Sequence, residues 1–236
     1  MILLVNGDSH SAGAEIMNPH AFAEDDPRYV HLGRQPHPDN LRESWGYLLS
    51  RKFDSSFVCL AESASSNTRI IRTTRKWLDF HELDEYVFII VQWSTWEREE
   101  WFIDETFYQV NGSGVDMVPL SHQQKYKEYV SSIDWTEKTN EAHDNIWDFH
   151  QELTERGVRH LFFNGNNYFE SINTIHQWGD TYIGPYDREL TYDHILRSQG
   201  CHPVNSESWH FGSDGHQKYA NFLYKYILDT NLLQNG

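Results

Sequence analysis

The sequence predicts an α/β fold, a three-layer α/β/α sandwich with a mostly parallel central sheet. Two observations indicate it: short runs of apolar residues without polar alternation, and amphipathic helical patterns between those runs. Uninterrupted apolar runs are typical of strands buried on both faces, and such strands need helices on either side of the sheet. A length of 236 residues suits one domain of this kind, so we expect a single domain over residues 1–236.

The apolar runs and the helical patterns alternate along the chain. The predicted strands are residues 2–5, 57–60, 86–91 and 160–163. The predicted helices are residues 44–53, 67–78, 136–156 and 213–228. The third helix has the clearest pattern, because Ile146, Phe149 and Leu153 share one face and Gly157 stands where a helix stop is expected.

Three stretches interrupt this alternation. Residues 11–43, 95–135 and 168–205 are predicted to be elaborated loops, the last two covering one end of the sheet. The charged run at residues 96–100 is expected to be the solvent-exposed face of a helix.

Charge and composition argue against several classes of protein. The chain carries 19 Lys and Arg against 35 Asp and Glu, a net charge of −16, which disfavours binding to nucleic acid or to anionic membranes. No apolar run approaches the roughly 18 residues of a membrane-spanning helix. The apolar start ends at Asn6 without the pattern of a secretory signal. Cys59 and Cys201 cannot form a disulfide framework, so we expect a cytoplasmic protein with reduced thiols.

Small polar residues follow each predicted strand. They occupy residues 7–11, 62–67, 92–95 and 164–167, and a further cluster at residues 207–210 precedes the last helix. Because ligands of open parallel sheets bind beyond the carboxyl ends of the strands, we expect these clusters to meet at one rim of the sheet.

The clusters contain the parts of a nucleophilic serine site. Ser9, on a tight turn after the first strand, can present its hydroxyl to a base. His210 can be that base, and Glu207, three residues earlier, can be the acid that orients it. The backbone N–H groups of Ser9 and Ala64 lie where strand gives way to helix and are the expected oxyanion donors. Each piece taken alone is also typical of a turn or a helix cap.

Taken together, these blocks resemble those of the SGNH (GDSL-like) hydrolases. Residues 5–9, Val-Asn-Gly-Asp-Ser, are similar to the first block of that family, and Glu207-x-x-His210 followed by Gly215 has the spacing of its last block. The resemblance spans nearly the whole chain. It implies a flavodoxin-like fold and an ester-cleaving activity without a cofactor, with Ser9 as nucleophile, His210 as base and Glu207 as orienting acid.

The oxyanion site departs from the family pattern at two positions. Ala64 stands at the family's glycine, where the backbone donor is retained if alanine can adopt the required φ and ψ. Ser94 stands at the family's asparagine as a weaker donor, and losing one donor costs roughly 10²–10³ in kcat. Asp8, Asn67 and Trp209 complete the residues expected around the oxyanion or the substrate.

The histidines and tryptophans raise two further questions. His210, Asp214 and His216 are close enough in sequence to be metal ligands, but no metal-binding motif or spacing is present, so we expect neither a metal nor another cofactor. Five tryptophans in or near the rim loops are expected to anchor those loops, with Trp209 as the exception that contacts a ligand. They are Trp93, Trp96, Trp101, Trp178 and Trp209.

The predicted function is hydrolysis of ester bonds through an acyl-enzyme on Ser9, with O-acyl groups on carbohydrate as the favoured substrates. The expected partner is a small-molecule or carbohydrate ester, not nucleic acid or a membrane. Two alternatives stay open: a catalytically weak module of the same fold that binds glycan or a protein, and an O-acyltransferase in which a sugar hydroxyl resolves the acyl-enzyme.

Overall fold

A five-stranded parallel sheet forms the centre of the computed structural model, which describes residues 1–17, 35–81, 86–112 and 118–233. The strands are β1 (Ile2–Asn6), β2 (Ser56–Cys59), β3 (Val87–Trp93), β4 (Glu99–Ile103), β5 (Thr106–Val110), β6 (Arg159–Asn164) and β7 (Tyr182–Ile183). The sheet has the order β2-β1-β3-β6-β7 with every pair parallel, and β4 and β5 form a separate antiparallel hairpin. This is the flavodoxin-like order, so the predicted fold class is confirmed.

Helices lie on both faces of the sheet. They are α1 (Ser9–Ala12), α2 (Pro38–Glu43), α3 (Trp45–Lys52), α4 (Asn67–Phe80), α5 (Gln123–Ser131), α6 (Trp135–Glu155), α7 (Tyr192–Ser198) and α8 (Ser213–Asp229). The four predicted helices correspond to α3, α4, α6 and α8. Side-chain caps begin three of these: Ser44 accepts from the Tyr47 N–H in α3, Ser66 from the Arg69 N–H in α4, and Asp134 from the Thr136 N–H in α6.

Alternate residues of the central strands face opposite layers, which gives the sheet two apolar cores. Leu3 and Val5 pack with α3, α7 and α8 on one face. Leu4 and Ile89 pack with α4 and α6 on the other. All four side chains are fully buried, and each contributes about 1.5–3 kcal/mol through burial.

The strand order creates a crevice at the carboxyl end of β1. The chain leaves β1 towards the layer of α3 and leaves β3 towards the layer of α6, so the two connections diverge on opposite faces of the sheet. Ligands of open α/β sheets bind at such a switch point.

The stretches predicted as loops contain secondary structure. Residues 18–34 lie outside the described residues, but the remainder of 11–43 includes α2. Residues 95–135 include β4, β5 and α5, which enclose a small apolar cluster around Trp101 and Tyr126. Residues 168–205 include β7 and α7.

The run at residues 96–100, predicted as an exposed helix face, is instead a turn that leads into β4. That prediction was wrong because charged side chains of this run are held in ion pairs within the fold: Glu100, for example, is 3% exposed and pairs with Arg72 at 2.7 Å. Within the described ranges, no helix combines the length and apolar character needed to cross a membrane.

Candidate active site

The polar clusters that follow β1, β2 and β3 meet at one rim of the sheet. Asn6 and Val91 are paired in the register of β1 and β3, so the residues that follow them are neighbours. Ser94 donates its hydroxyl to Asp8 Oδ2 at 2.9 Å, which joins the first cluster to the third. Asn67, at the start of α4, accepts from the Ser94 N–H at 2.8 Å and adds the second cluster.

A buried amide fills the space between the strand ends. Gln92 Oε1 accepts from the Ser11 hydroxyl at 2.9 Å and from the Asp8 N–H at 3.3 Å. Close packing around this amide explains two glycines. A Cβ on Gly7 would lie 2.5 Å from Ser11 Oγ and 2.9 Å from Gln92 Oε1, and a Cβ on Gly165 would lie 2.6 Å from Gln92 Nε2.

Asp8 holds the first turn of the site. Its buried carboxylate accepts from the His10 N–H at 3.0 Å, from Ser94, and from Arg98 Nη1 at 3.0 Å. Burial raises the pKa of this carboxyl, but His10, the Arg98 guanidinium and the hydrogen bonds lower it further, so its pKa lies below the ordinary value. A carboxylate cannot donate to an oxyanion. The structure therefore gives Asp8 a supporting position, unlike the predicted one at the oxyanion or the substrate.

Ser94 and Asn67 also support the rim. The Ser94 hydroxyl accepts from Arg98 Nη1 at 2.8 Å while its own proton is donated to Asp8. The Asn67 side chain makes two hydrogen bonds to the Ser94 backbone, because it accepts from the N–H and also donates to the carbonyl at 3.3 Å. These groups, predicted to surround the oxyanion, are thus engaged with the scaffold.

Arg98 is a residue of this rim that the sequence analysis missed. Its side chain is only 20% exposed and forms the ion pair with Asp8. Asp8 was the signal that could have pointed to Arg98. A carboxylate expected next to a buried strand end needs a cation nearby, and Arg98 lies four residues beyond Ser94.

Ser9 begins α1 and is 8% exposed. Among the residues that the structure describes, nothing is hydrogen-bonded to its hydroxyl, and the oxygen is not sealed off from solvent. Its backbone N–H likewise has no backbone acceptor in those ranges. A free, reachable hydroxyl on a fixed turn is suited to attack on an acyl carbon.

Ala64 lies in the turn after β2 and adopts the left-handed conformation, with φ +63°. Glycine adopts this conformation readily, whereas alanine does so at a cost of about 1–2 kcal/mol. In the described part of the chain, no backbone carbonyl accepts from the Ala64 N–H. Ala64 therefore has a backbone conformation typical of glycine, and its N–H has no backbone acceptor among the described residues.

His210 lies between α7 and α8, and a carboxylate holds its ring. Glu15 contacts His210 Nδ1, with the two side chains 19% and 22% exposed. Ser208 joins the pair, since its hydroxyl donates to Glu15 and accepts from the His210 N–H at 2.9 Å. A proton on Nδ1 shared with the carboxylate leaves the lone pair on Nε2, which is the form a general base needs.

Glu207 does not take the predicted position beside His210. Its side chain is exposed, and it makes no hydrogen bond or ion pair with another described residue. The reason is local: the Glu207 N–H donates to Asn205 Oδ1 at 2.9 Å, and this turn directs the following residue, Ser208, towards the histidine instead. The carboxylate at His210 is therefore Glu15, which the spacing along the sequence did not point to.

His10 forms a neutral wall beside this pair. Its ring centroid lies 5.0 Å from that of His210 and 5.2 Å from that of Tyr192. Burial lowers the pKa of His10 to about 4, so the imidazole is uncharged near neutral pH.

An open groove of about 960 Å³ lies alongside the histidine loop. Its lining includes Asn166, Arg188, His194, Glu207 and Trp209. Trp209 is 65% exposed, whereas the other four tryptophans of the predicted rim set are buried, as expected for loop anchors. Trp209 is thus the member of that set that can contact a ligand.

The histidine loop does not form the metal site considered from the sequence. Asp214 pairs with Lys218 at 2.8 Å, and His216 Nδ1 accepts from the Trp45 N–H at 3.1 Å. Burial lowers the pKa of His216 to about 3. With these atoms engaged elsewhere, the two residues do not converge with His210 on one point.

A second set of potential ligands lies on α6 and the segment before β7. Atoms of His143, Asp144 and His176 lie within 4.8 Å of one another. The two imidazole rings are stacked, 6° from parallel, so their in-plane lone pairs run side by side instead of converging. His143 Nε2 is also engaged by the Tyr186 hydroxyl at 3.0 Å. This geometry is poor for a tetrahedral metal site.

Several solved structures have a similar chain trace. They include a member of the lipolytic protein G-D-S-L family from Veillonella parvula (10% identity, TM-score 0.46, 97% of each chain covered) and the psychrotrophic esterase EstA from Pseudoalteromonas (12%, 0.40, 99% of each). An acetyl xylan esterase from Butyrivibrio proteoclasticus has 10% identity and a TM-score of 0.46, over 99% of this chain and 64% of that one. Similarity of this degree carries over no activity or substrate. No curated protein matches the chain.

One protein family matches the sequence over residues 31–150. The matched stretch contains Ala64, Ser94 and Arg98 but neither Ser9 nor His210. Because it covers just over half of the 236 residues, the chain belongs to a family of unknown function, DUF6071.

Proposed function

We propose that this protein is a serine esterase with Ser9 as nucleophile and His210 as general base. The observation that carries the proposal is the contact of His210 Nδ1 with a carboxylate, because it leaves Nε2 free to take a proton at the rim of the sheet. The ring centroid of His10, the residue after Ser9, lies 5.0 Å from the ring centroid of His210. The first turn of α1 is therefore next to the base.

The reaction follows from these groups. Ser9 Oγ attacks the acyl carbon while its proton passes to His210 Nε2, and the carbonyl oxygen becomes an oxyanion facing the N–H groups of Ser9 and Ala64. His210 then gives that proton to the leaving alkoxide, and the C–O bond of the ester breaks. Water attacks the acyl-enzyme, its proton passes to His210, and the acid leaves as Ser9 recovers the proton.

We propose O-acyl groups on carbohydrate as the substrate class. Trp209 supports this choice, because an exposed aromatic face next to the base is suited to packing against a sugar ring. The net charge of −16 disfavours polyanionic substrates such as nucleic acids, so neutral esters with short acyl groups are the first to assay.

A binding module is the second candidate function, favoured by one observation. The Ser94 hydroxyl is committed to Asp8, so two backbone donors remain for the oxyanion. A site with one donor fewer is slower by roughly 10²–10³, and a protein with so weak an activity serves better as a binder of glycan.

Labelling with a fluorophosphonate probe tests the esterase proposal, because the probe reacts with activated serines. We expect labelling of the wild type and its loss in Ser9→Ala and His210→Ala, with Ser131→Ala as a control for an exposed serine on α5. Unlabelled but folded wild-type protein contradicts the esterase, and glycan-array binding that depends on Trp209 then supports the module.

A further inference from the structure

We infer that Glu15 is the positioning acid of this site, in place of Glu207. The inference deepens the proposed function and rests on it for the role of His210. Glu15 contacts His210 Nδ1, while the carboxylate of Glu207 is exposed and apart from the histidine. Glu15 does not touch the reacting atoms in this arrangement, so it acts through the imidazole.

The backbone after α1 is shaped to bring Glu15 to the histidine. Gly13 ends α1 in the left-handed conformation with φ +70°, and the Ala14 N–H donates to the Ser9 carbonyl at 2.9 Å. Glu15 itself has φ +65°, a left-handed conformation that non-glycine residues keep only where the surroundings hold it. Such strain is often found at functional positions.

Ser208 fixes the distance between the acid and the histidine loop. Its hydroxyl donates to the Glu15 carboxylate and accepts from the His210 backbone N–H at 2.9 Å. The Glu15 carboxylate therefore has two partners in the loop, the ring nitrogen Nδ1 of His210 and the hydroxyl of Ser208. A glutamine at position 15 would keep the length and the backbone conformation but lose the charge.

The chemical role follows from the charge that develops on the base. When His210 takes the proton of Ser9 it becomes an imidazolium, and a carboxylate at Nδ1 stabilises that cation and fixes the tautomer beforehand. The nucleophile and the acid then come from one stretch, residues 9–15, and the base alone comes from the distant loop.

Three variants test the assignment: Glu15→Gln, Glu15→Asp and, as the matched charge change at the family-spaced acid, Glu207→Gln. With a short-chain ester, Glu15→Gln is expected to lower kcat by about 10²–10⁴ with a much smaller change in KM. Glu15→Asp, which keeps the charge on a shorter arm, is expected to restore part of that loss. Glu207→Gln is expected to affect kcat far less than Glu15→Gln.

Proton NMR gives a second reading that needs no turnover. An Nδ1–H shared with a carboxylate resonates far downfield, and His210→Ala identifies the signal. We expect the signal in the wild type and in Glu207→Gln, and its loss in Glu15→Gln with the circular dichroism spectrum unchanged. Absence of the signal from folded wild type, or its loss in Glu207→Gln but not in Glu15→Gln, overturns the inference. If the wild type shows this NMR pattern but is not labelled by the fluorophosphonate probe, the Glu15–His210 pair is supported and the proposed esterase activity is contradicted.

Discussion

Replacing Ala64 by glycine tests the backbone of the oxyanion site. Alanine at φ +63° costs about 1–2 kcal/mol, a penalty that glycine does not have. Glycine in turn gains freedom in the unfolded chain, which costs about 0.4–1 kcal/mol on folding. The difference predicts that Ala64→Gly raises the free energy of unfolding by about 0.5–1 kcal/mol. Fluorophosphonate labelling of Ser9 should persist, because the N–H group at position 64 stays in place.

The same substitution at Ala142 is the control. Ala142 lies inside α6 on a helical backbone, where glycine costs about 1 kcal/mol. Urea unfolding at pH 7 should therefore move the two variants to opposite sides of the wild type. If Ala64→Gly destabilises the protein as much as Ala142→Gly does, the left-handed conformation at position 64 is refuted, and with it the glycine-like shape of the donor turn.

Two more predictions concern buried charge. Arg98→Met leaves the Asp8 carboxylate buried without its cation, which should lower the free energy of unfolding by about 3 kcal/mol in urea titrations, with Arg98→Lys less affected; a loss below about 0.5 kcal/mol contradicts the ion pair. Stability should also fall as pH drops from 6.5 towards 4, because burial lowers the pKa of His10 and His160 from 6.5 to about 4. In that range the unfolded chain binds more protons than the folded one, at about 2 kcal/mol per histidine at pH 5. Equal melting temperatures at pH 7 and pH 5 would count against these neutral histidines.

The sheet strands with long apolar runs were predictable, and the shorter strands were not. Residues buried on both faces, as in β1 and β3, leave an uninterrupted apolar signal that a reader of the sequence can find. β7 is only Tyr182–Ile183, too short for any periodicity. In β4 and β5 the apolar residues Phe102 and Phe107 are exposed while Trp101 and Val110 are buried, so the hairpin has no clean alternation of apolar and polar residues.

The positions of candidate site residues were predictable where those residues closely follow a predicted strand. Ser9 directly follows β1, and Ala64 lies in the turn after β2, so the strand pattern placed both. Glu15 and His210 are 195 positions apart and meet only in the folded chain. Spacing along the sequence favoured Glu207 because it could not register that the turn at Asn205 directs this side chain away. Tertiary contacts of this kind leave no local signal.

The amide of Gln92 restricts how this region can change in related sequences. A Cβ at Gly165 would collide with the Gln92 amide, and a Cβ at Gly7 would collide with both Gln92 and the Ser11 hydroxyl, so a larger residue at either position requires these side chains to move. A shorter residue at position 92 would take away the acceptor shared by the Ser11 hydroxyl and the Asp8 N–H. Positions 7, 92 and 165 lie in distant parts of the chain but pack against one another. Substitutions at these positions are therefore expected to be coupled, with a change at one requiring a compensating change at another.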